Sequence, residues 1–271
     1  MNFKPTHLSS TVDQPRRAAF AWLAAQLAAA VKPPVALPLM VSLTTAAIAQ
    51  DAATEIAGNR RYRNIPPTPD GIGKVYLGRE IASVMGWQGA DWLEREERGR
   101  EERGDLLLRA LGLQEGMQVA DIGAGTGYHA RRIAPLLRPR GTVYAVDVQP
   151  EMIAMLTDLA KKAGLENIKP VLAAEDDVKL PGASVDLAIM VDVYHELAFP
   201  YEVMESIVRA LKPAGRVALV EYRAEDVLVP IKPLHKMSQA QIRKEVAQHA
   251  LVYERTDNSL PWQHLMIFRR K

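Results

Sequence analysis

The chain has 271 residues and a mass of 30.0 kDa, with 48% hydrophobic and 24% charged side chains, a globular balance that allows one large domain with an appendage. Its 34 basic and 32 acidic residues leave +2, so there is no polyanion-seeking field and nucleic acid is not an expected partner. The absence of cysteine excludes disulfides, thiolate metal sites and a cysteine nucleophile, and no paired-histidine or HExxH spacing points to a metal centre.

Between Arg17 and Asp51 the only charge is Lys32, and the apolar stretches Ala18–Val31 and Val35–Ala49 both fall short of the roughly 20 residues of a spanning helix. Ala47-Ile48-Ala49 is a small-x-small site after an apolar run, with Lys4, Arg16, Arg17 and Lys32 upstream, which is the layout of an export signal. Arg16-Arg17 fits a twin-arginine pattern loosely. An uncleaved anchor, or a true start at Met40, are the alternatives. Cleavage implies a periplasmic or secreted protein, an anchor implies membrane association, and the remaining case is cytoplasmic. Residues 1–49 are therefore set apart from an extension over 50–104 and a domain over 105–271.

Residues 51–75 are polar and rich in Pro and Gly and are expected to run over the surface. From Glu94 to Arg103 nearly every residue is charged, with both signs mixed, which predicts a solvated helix broken near Gly99 and Gly104. Asp105 is placed to cap a short helix over Leu106–Leu111 that Gly112 ends. The extension is thus expected to be helical.

From Met117 strands and helices alternate, the signal of a parallel sheet covered on both faces. Strands are predicted at 118–122, 142–146, 168–173, 185–191 and 216–221. Helices are expected from Gly127, from Pro150, and along Val203, Met204, Ile207, Val208 and Leu211. Ser238 with Gln241 reads as a capping box opening a further helix. Two closing strands, Leu251–Glu254 and His264–Phe268, are separated by Asp257-Asn258-Ser259 and must pair antiparallel. The fold class is α/β: a Rossmann-like, doubly wound, mostly parallel seven-stranded sheet with an antiparallel C-terminal hairpin.

VADIGAGTGY, from Val119 to Tyr128, sets Gly123, Gly125 and Gly127 between a strand and a helix, where backbone N–H groups can approach a ligand. The dinucleotide fingerprint needs Gly or Ala at position 128, which is Tyr128, and no Walker lysine follows. GxGxG with Asp121 two residues before its first glycine resembles motif I of the class I methyltransferases that use S-adenosyl-L-methionine. The resemblance covers roughly Asp105 to Arg269. It implies cofactor contacts at Asp121, Gly123, Ala124, Gly125 and Gly127, at Asp147 and Val148 after the second strand, at Glu175 and Asp176 after the third, and at Asp192 after the fourth. A carboxylate at Asp121 and loop amides suit an ammonium and a carboxylate, and Asp147 suits a ribose diol. A less extensive resemblance, carried by YLGREIASVMGWQGADWLER, DVYHEL and LPWQHLMIF, is to bacterial, signal-bearing methyltransferase-domain proteins.

The fourth strand runs into Asp192-Val193-Tyr194-His195-Glu196, and carboxyl ends of open α/β strands face the ligand crevice. His195 is the leading general-base candidate because imidazole titrates near neutrality, with Glu196 orienting it or binding a cationic substrate. The Asn/Asp-Pro-Pro-Tyr/Phe signature of amine methylation is absent. The expected function is methyl transfer to a small-molecule or lipid-like acceptor. The alternative is a non-catalytic ligand-binding envelope protein that kept the fold.

Overall fold

The computed structural model describes residues 61–271, and the export signal predicted over 1–49 lies outside the described residues. Among the described residues no helix is long and apolar enough to cross a membrane. The extension departs from the helical expectation at its start. Strands β1 (Tyr62–Asn64), β2 (Gly71–Tyr76) and β3 (Arg79–Ala82) form a small antiparallel sheet, with Tyr76 and Ile81 buried. β2 and β3 are joined at Leu77-Gly78, both at positive φ (47° and 94°), the pattern of a type I′ hairpin. Leucine is an uncommon first residue for that turn, and with strands this short the segment reads as coil.

The helical part follows, as α1 (Ala90–Leu93), α2 (Arg98–Glu102) and α3 (Gly104–Ala110). The charge run is not a solvated helix. Arg98 and Glu102 are buried and paired at 2.8 Å, Arg95 donates to the same carboxylate at 2.8 Å, and the Tyr222 hydroxyl donates to it at 3.2 Å. Arg103, at φ 50°, separates α2 from α3. Asp105 does not cap α3 but accepts from the Arg103 and Arg109 guanidinium groups. Gly112 ends α3 at φ 63°, as expected.

The main sheet is built from β4 (Gln118–Ile122), β5 (Thr142–Asp147), β6 (Ile168–Leu172), β7 (Val185–Val191), β8 (Leu211–Tyr222), β9 (Leu251–Asp257) and β10 (Gln263–Arg270). Their order is β6-β5-β4-β7-β8-β10-β9. The first five are parallel, and β10 runs antiparallel to both β8 and β9. The period-2 alternation sorts the core into two layers: Ala120, Ala188 and Met190 face one, Val119, Leu187 and Ile189 the other. Strand order reverses between β4 and β7, which opens a crevice at their carboxyl ends.

Helices α4 (Ala130–Ile133), α5 (Pro150–Lys162), α6 (Pro200–Ala210) and α7 (Gln239–Val246) complete the fold. α4 begins three residues later than predicted and continues as a 3-10 turn to Leu137, because the glycine loop itself occupies Gly123 to His129. Ser238 caps α7 through the Gln241 amide at 3.1 Å, while the Gln241 side chain donates to Leu77 O and Glu245 rather than back to Ser238, so only half of the capping box forms.

The buried charge cluster yields a stability test. Glu102→Ala leaves the Arg95 and Arg98 guanidinium groups without their shared carboxylate, a loss of about 3–5 kcal/mol for a broken buried pair. The melting midpoint should fall by roughly 6–20 °C for a domain of this size. Asp105→Ala, which removes an exposed pair, should leave the midpoint nearly unchanged in the same calorimetric scan.

Candidate functional site

The glycine loop leaves β4 and is tied to β5 at once, because the Gly123 and Ala124 amides both donate to Val146 O, at 2.8 and 3.0 Å. Gly123 sits at φ 68°, where a Cβ would come within 2.5 Å of Val193. Gly125 sits at φ 54°, where a Cβ would meet the Leu93 side chain at 2.6 Å. Glycine is required at Gly123 on conformation and on space, and at Gly125 on conformation, since the end of the Leu93 side chain can move aside. The Gly125 amide donates to Asp147 Oδ2 at 2.9 Å, and Asp147 Oδ1 accepts from the Gln149 amide at 2.9 Å. Burial raises the Asp147 pKa, and those loop amides oppose the rise.

Asp121 lies at the foot of the same loop, 3% exposed, and its Oδ2 has no hydrogen-bond partner. Burial pushes its carboxyl up to about 7, opposed by the Ala130 amide and the Arg98 charge and reinforced by Asp147. An orphaned carboxylate oxygen in a buried setting costs about 1–3 kcal/mol unless a donor reaches it. A ligand ammonium fits that need. Asp121, the glycine loop and Asp147 lie together, with Ala124 and Gly127 buried in the loop and Val148 exposed at its edge. Glu175 and Asp176 are exposed on a tight turn closed by the Ala174–Asp177 bridge; the turn follows Ala173, whose amide donates to Asp147 O at 2.9 Å.

The extension covers this loop, which the charge-run reading misses. Glu94 accepts from Thr126 Oγ1 at 2.5 Å and from Arg131, and Leu93 packs over Gly125. Arg98 Nη2 donates to His129 Nε2 at 3.3 Å; burial and the charges of Arg98 and Arg132 keep that imidazole neutral. The Trp87 amide donates to Gln149 Oε1 at 2.7 Å, and Gln149 Nε2 returns a bond to Met85 O at 3.0 Å. The i,i+4 spacing of Arg98 and Glu102 is visible in the sequence, but that they face inward is not.

On the other side of the crevice Asp192 adopts a left-handed φ of 55° and accepts from Gln263 Nε2 at 2.7 Å, while its Oδ1 is buried without a partner. Burial and the negative charges of Glu102 and Glu221 hold its carboxyl well above the ordinary range. His195 is not the substrate-facing, near-neutral base that the sequence suggests. It is 1% exposed, its Nδ1 donates to Glu221 Oε2 at 2.6 Å, and its Nε2 faces His235 Nδ1 at 3.2 Å. Burial opposes the imidazolium, but the Glu221 carboxylate with Glu196 outweighs it and raises the pKa to about 10. Glu196 accepts from the Met85 amide at 3.2 Å, and His195 and His235 lower its carboxyl to about 2 against the effect of burial. Neither Glu221 nor His235 is a candidate from sequence, because the topology alone joins residues so far apart.

Residues 113–266 match the family described as "Methyltransferase domain". A protein-L-isoaspartate O-methyltransferase of Methanothrix thermoacetophila is 31% identical over 131 residues, 47% of this chain and 58% of that protein. A ubiquinone/menaquinone biosynthesis C-methyltransferase of Ectopseudomonas mendocina is 28% identical over 118 residues, 43% of this chain and 46% of that protein. The chain thus spans about half the length of these curated relatives. A solved SAM-dependent methyltransferase from Aquifex aeolicus superposes with a TM-score of 0.66 at 24% identity, covering 69% of this chain and all of that one. With the family matched over more than half of its length, and the strand order and glycine loop in place, the chain belongs to the methyltransferase-domain family.

Proposed function

We propose that the protein transfers a methyl group from S-adenosyl-L-methionine to a small, apolar or lipid-like acceptor. The observation that carries this reading is the unpartnered Oδ2 of Asp121, buried at the foot of the glycine loop. When bound, the cofactor supplies a sulfonium, a good leaving group, so the protein's task is chiefly to orient the acceptor and exclude water. Asp121 holds the ammonium, and Asp147 accepts from the ribose hydroxyls through lone pairs not used by Gly125 and Gln149, while the Gly123, Ala124 and Gly125 amides are spent on Val146 O and Asp147 and shape the loop. Leu93 and Glu94 close the loop against solvent.

The acceptor reading rests on the rim. Val84, Trp87, Trp92 and Val148 are all exposed, at 57, 42, 46 and 42%. Trp87 and the neighbour of Val84, Met85, are both bonded to Gln149, so these apolar surfaces lie at the mouth of the same loop. An apolar fringe of this kind suits an acceptor with hydrocarbon surface better than a charged peptide. The named relatives act, by their titles, on protein isoaspartate and in quinone biosynthesis, so both chemistries belong in the assay. Purified full-length chain with methyl-labelled cofactor should label a lipid extract and leave an isoaspartyl peptide unlabelled. Label on the peptide alone overturns the acceptor reading. Cofactor binding with no labelled product in any extract favours the non-catalytic alternative.

Two binding predictions follow from the loop. Asp147→Ala should weaken S-adenosylhomocysteine by about 1.5–3 kcal/mol, roughly ten- to hundredfold, since charged hydrogen bonds are lost. Asp147→Asn, which keeps an acceptor for the Gly125 amide, should lose less; calorimetry that finds both variants at wild-type affinity removes Asp147 from the site.

The second concerns pH. With the Asp121 carboxyl near 7 in the free protein, lowering pH protonates it and removes the partner of the ligand ammonium. Affinity should therefore rise as pH increases from 6 to 8, at most about tenfold per pH unit below 7 and levelling above it. Binding at neutral pH should release protons, measurable as a buffer-dependent calorimetric enthalpy, and Asp121→Asn should abolish that dependence.

A further inference from the structure

At the carboxyl ends of β7 and β8 three donor atoms face one another: His195 Nε2, His235 Nδ1 and Glu196 Oε1. Their separations are 3.2 Å between the two nitrogens, 3.2 Å from His235 Nδ1 to Glu196 Oε1, and 3.6 Å from His195 Nε2 to Glu196 Oε1. A zinc-class cation with bonds of about 2.0–2.1 Å in tetrahedral geometry sets its ligands about 3.3–3.4 Å apart. The observed triangle is thus the size of one face of that tetrahedron. We infer that His195, His235 and Glu196 bind a divalent transition-metal cation of the zinc class.

Two further features support the assignment. Glu221 is fully buried, with Oε1 accepting from the Tyr194 amide at 2.8 Å and Oε2 taking the proton of His195 Nδ1. In the neutral imidazole that bond places the lone pair on Nε2, facing the other two donors, and a carboxylate behind a histidine is the usual support of a metal ligand. Arg79 Nη1 also donates to His195 O at 2.9 Å, while its Nε and Nη2 are held by Glu245 at 2.9 and 3.0 Å, so the turn that carries His195 is fixed.

A proton shared between the rings would satisfy the N···N line and leave the carboxylate 3.6 Å from His195 Nε2, too far for a hydrogen bond. A cation serves all three equally. Two imidazoles and one carboxylate oxygen suit zinc-class ions better than magnesium or calcium, which take oxygen ligands. Among the described residues three protein donors converge, leaving a fourth coordination position for water or a ligand. His235 and Glu196, 21 and 13% exposed, are the side of the cluster that solvent reaches.

The test is a titration of chelator-treated full-length protein with cobalt(II) chloride and, separately, zinc chloride. Wild type should bind about one equivalent, show the visible absorption of a four-coordinate cobalt site, and release cobalt to zinc. His235→Ala and Glu196→Gln should each weaken binding at least about a hundredfold, since loss of a supporting group alone costs tenfold to a hundredfold. Thermal melting in chelator checks that the variants fold; the first alters a turn side chain open to solvent, and the second keeps an acceptor for the Met85 amide. Absence of stoichiometric binding by wild type, or wild-type binding by either folded ligand variant, overturns the site. The titration uses neither methyl donor nor acceptor, so its failure leaves the methyl-transfer reading standing.

Discussion

Four neighbouring parallel strands deliver a carboxylate to one edge of the sheet: Asp147 as the last residue of β5, Asp121 in β4, Asp192 after β7 and Glu221 in β8. All sit out of bulk water or nearly so, where charge is expensive and each carboxylate needs a partner or must take a proton. Much of the surrounding architecture can be read as the supply of those partners. Asp147 is held by loop amides, Glu221 by the Tyr194 amide and the His195 ring, and Asp192 by Gln263 from the closing hairpin. Of the four, Asp121 and Asp192 each keep an oxygen without a protein donor, at the strand ends beside the point where strand order reverses.

The same constraint explains why the extension belongs to the site and is not an ornament on the fold. Arg98 enters with its own counter-ion, Glu102, and bonds the His129 ring beyond the glycine loop. Its charge also lowers the cost of Asp121 and Asp192 in the ionised form. A single arginine brought in without Glu102 would be an unpaired buried cation, and Glu102 without arginine a further repulsion on Asp192. The pair is therefore a unit, with Arg95 and the Tyr222 hydroxyl completing it. Leu93 covers the one glycine whose Cβ would collide with it, so the short helix and the loop constrain each other.

Strands and helices of the parallel sheet were legible because their periodicity is local: Val185–Val191 alternates between two cores, and Pro150 marks the first turn of a helix. The glycine loop was legible for a similar reason, since its residues are consecutive and its strand-turn-helix context is short. What escaped was set by distance in the chain. The small sheet at 62–82 depends on a hairpin with leucine in a left-handed position, for which composition gives no sign. Arg98 and Glu102 carry the i,i+4 spacing of a surface pair and are buried only because β8 brings Tyr222 above them. His195 was picked out for its strand end, but its surroundings come from Glu221 and His235, which lie 26 and 40 residues further on.

The two halves of the crevice are also physically joined. Gln149 donates its amide to Asp147 and its side chain to Met85 O, and the Met85 amide donates to Glu196, one of the three donors facing His195. The chain of bonds has only two intermediate residues, Met85 and Gln149. Met85 and Gln149 thus tie the carboxylate beside the glycine loop to the turn that carries His195, so the two sides of the crevice are positioned by one run of hydrogen bonds.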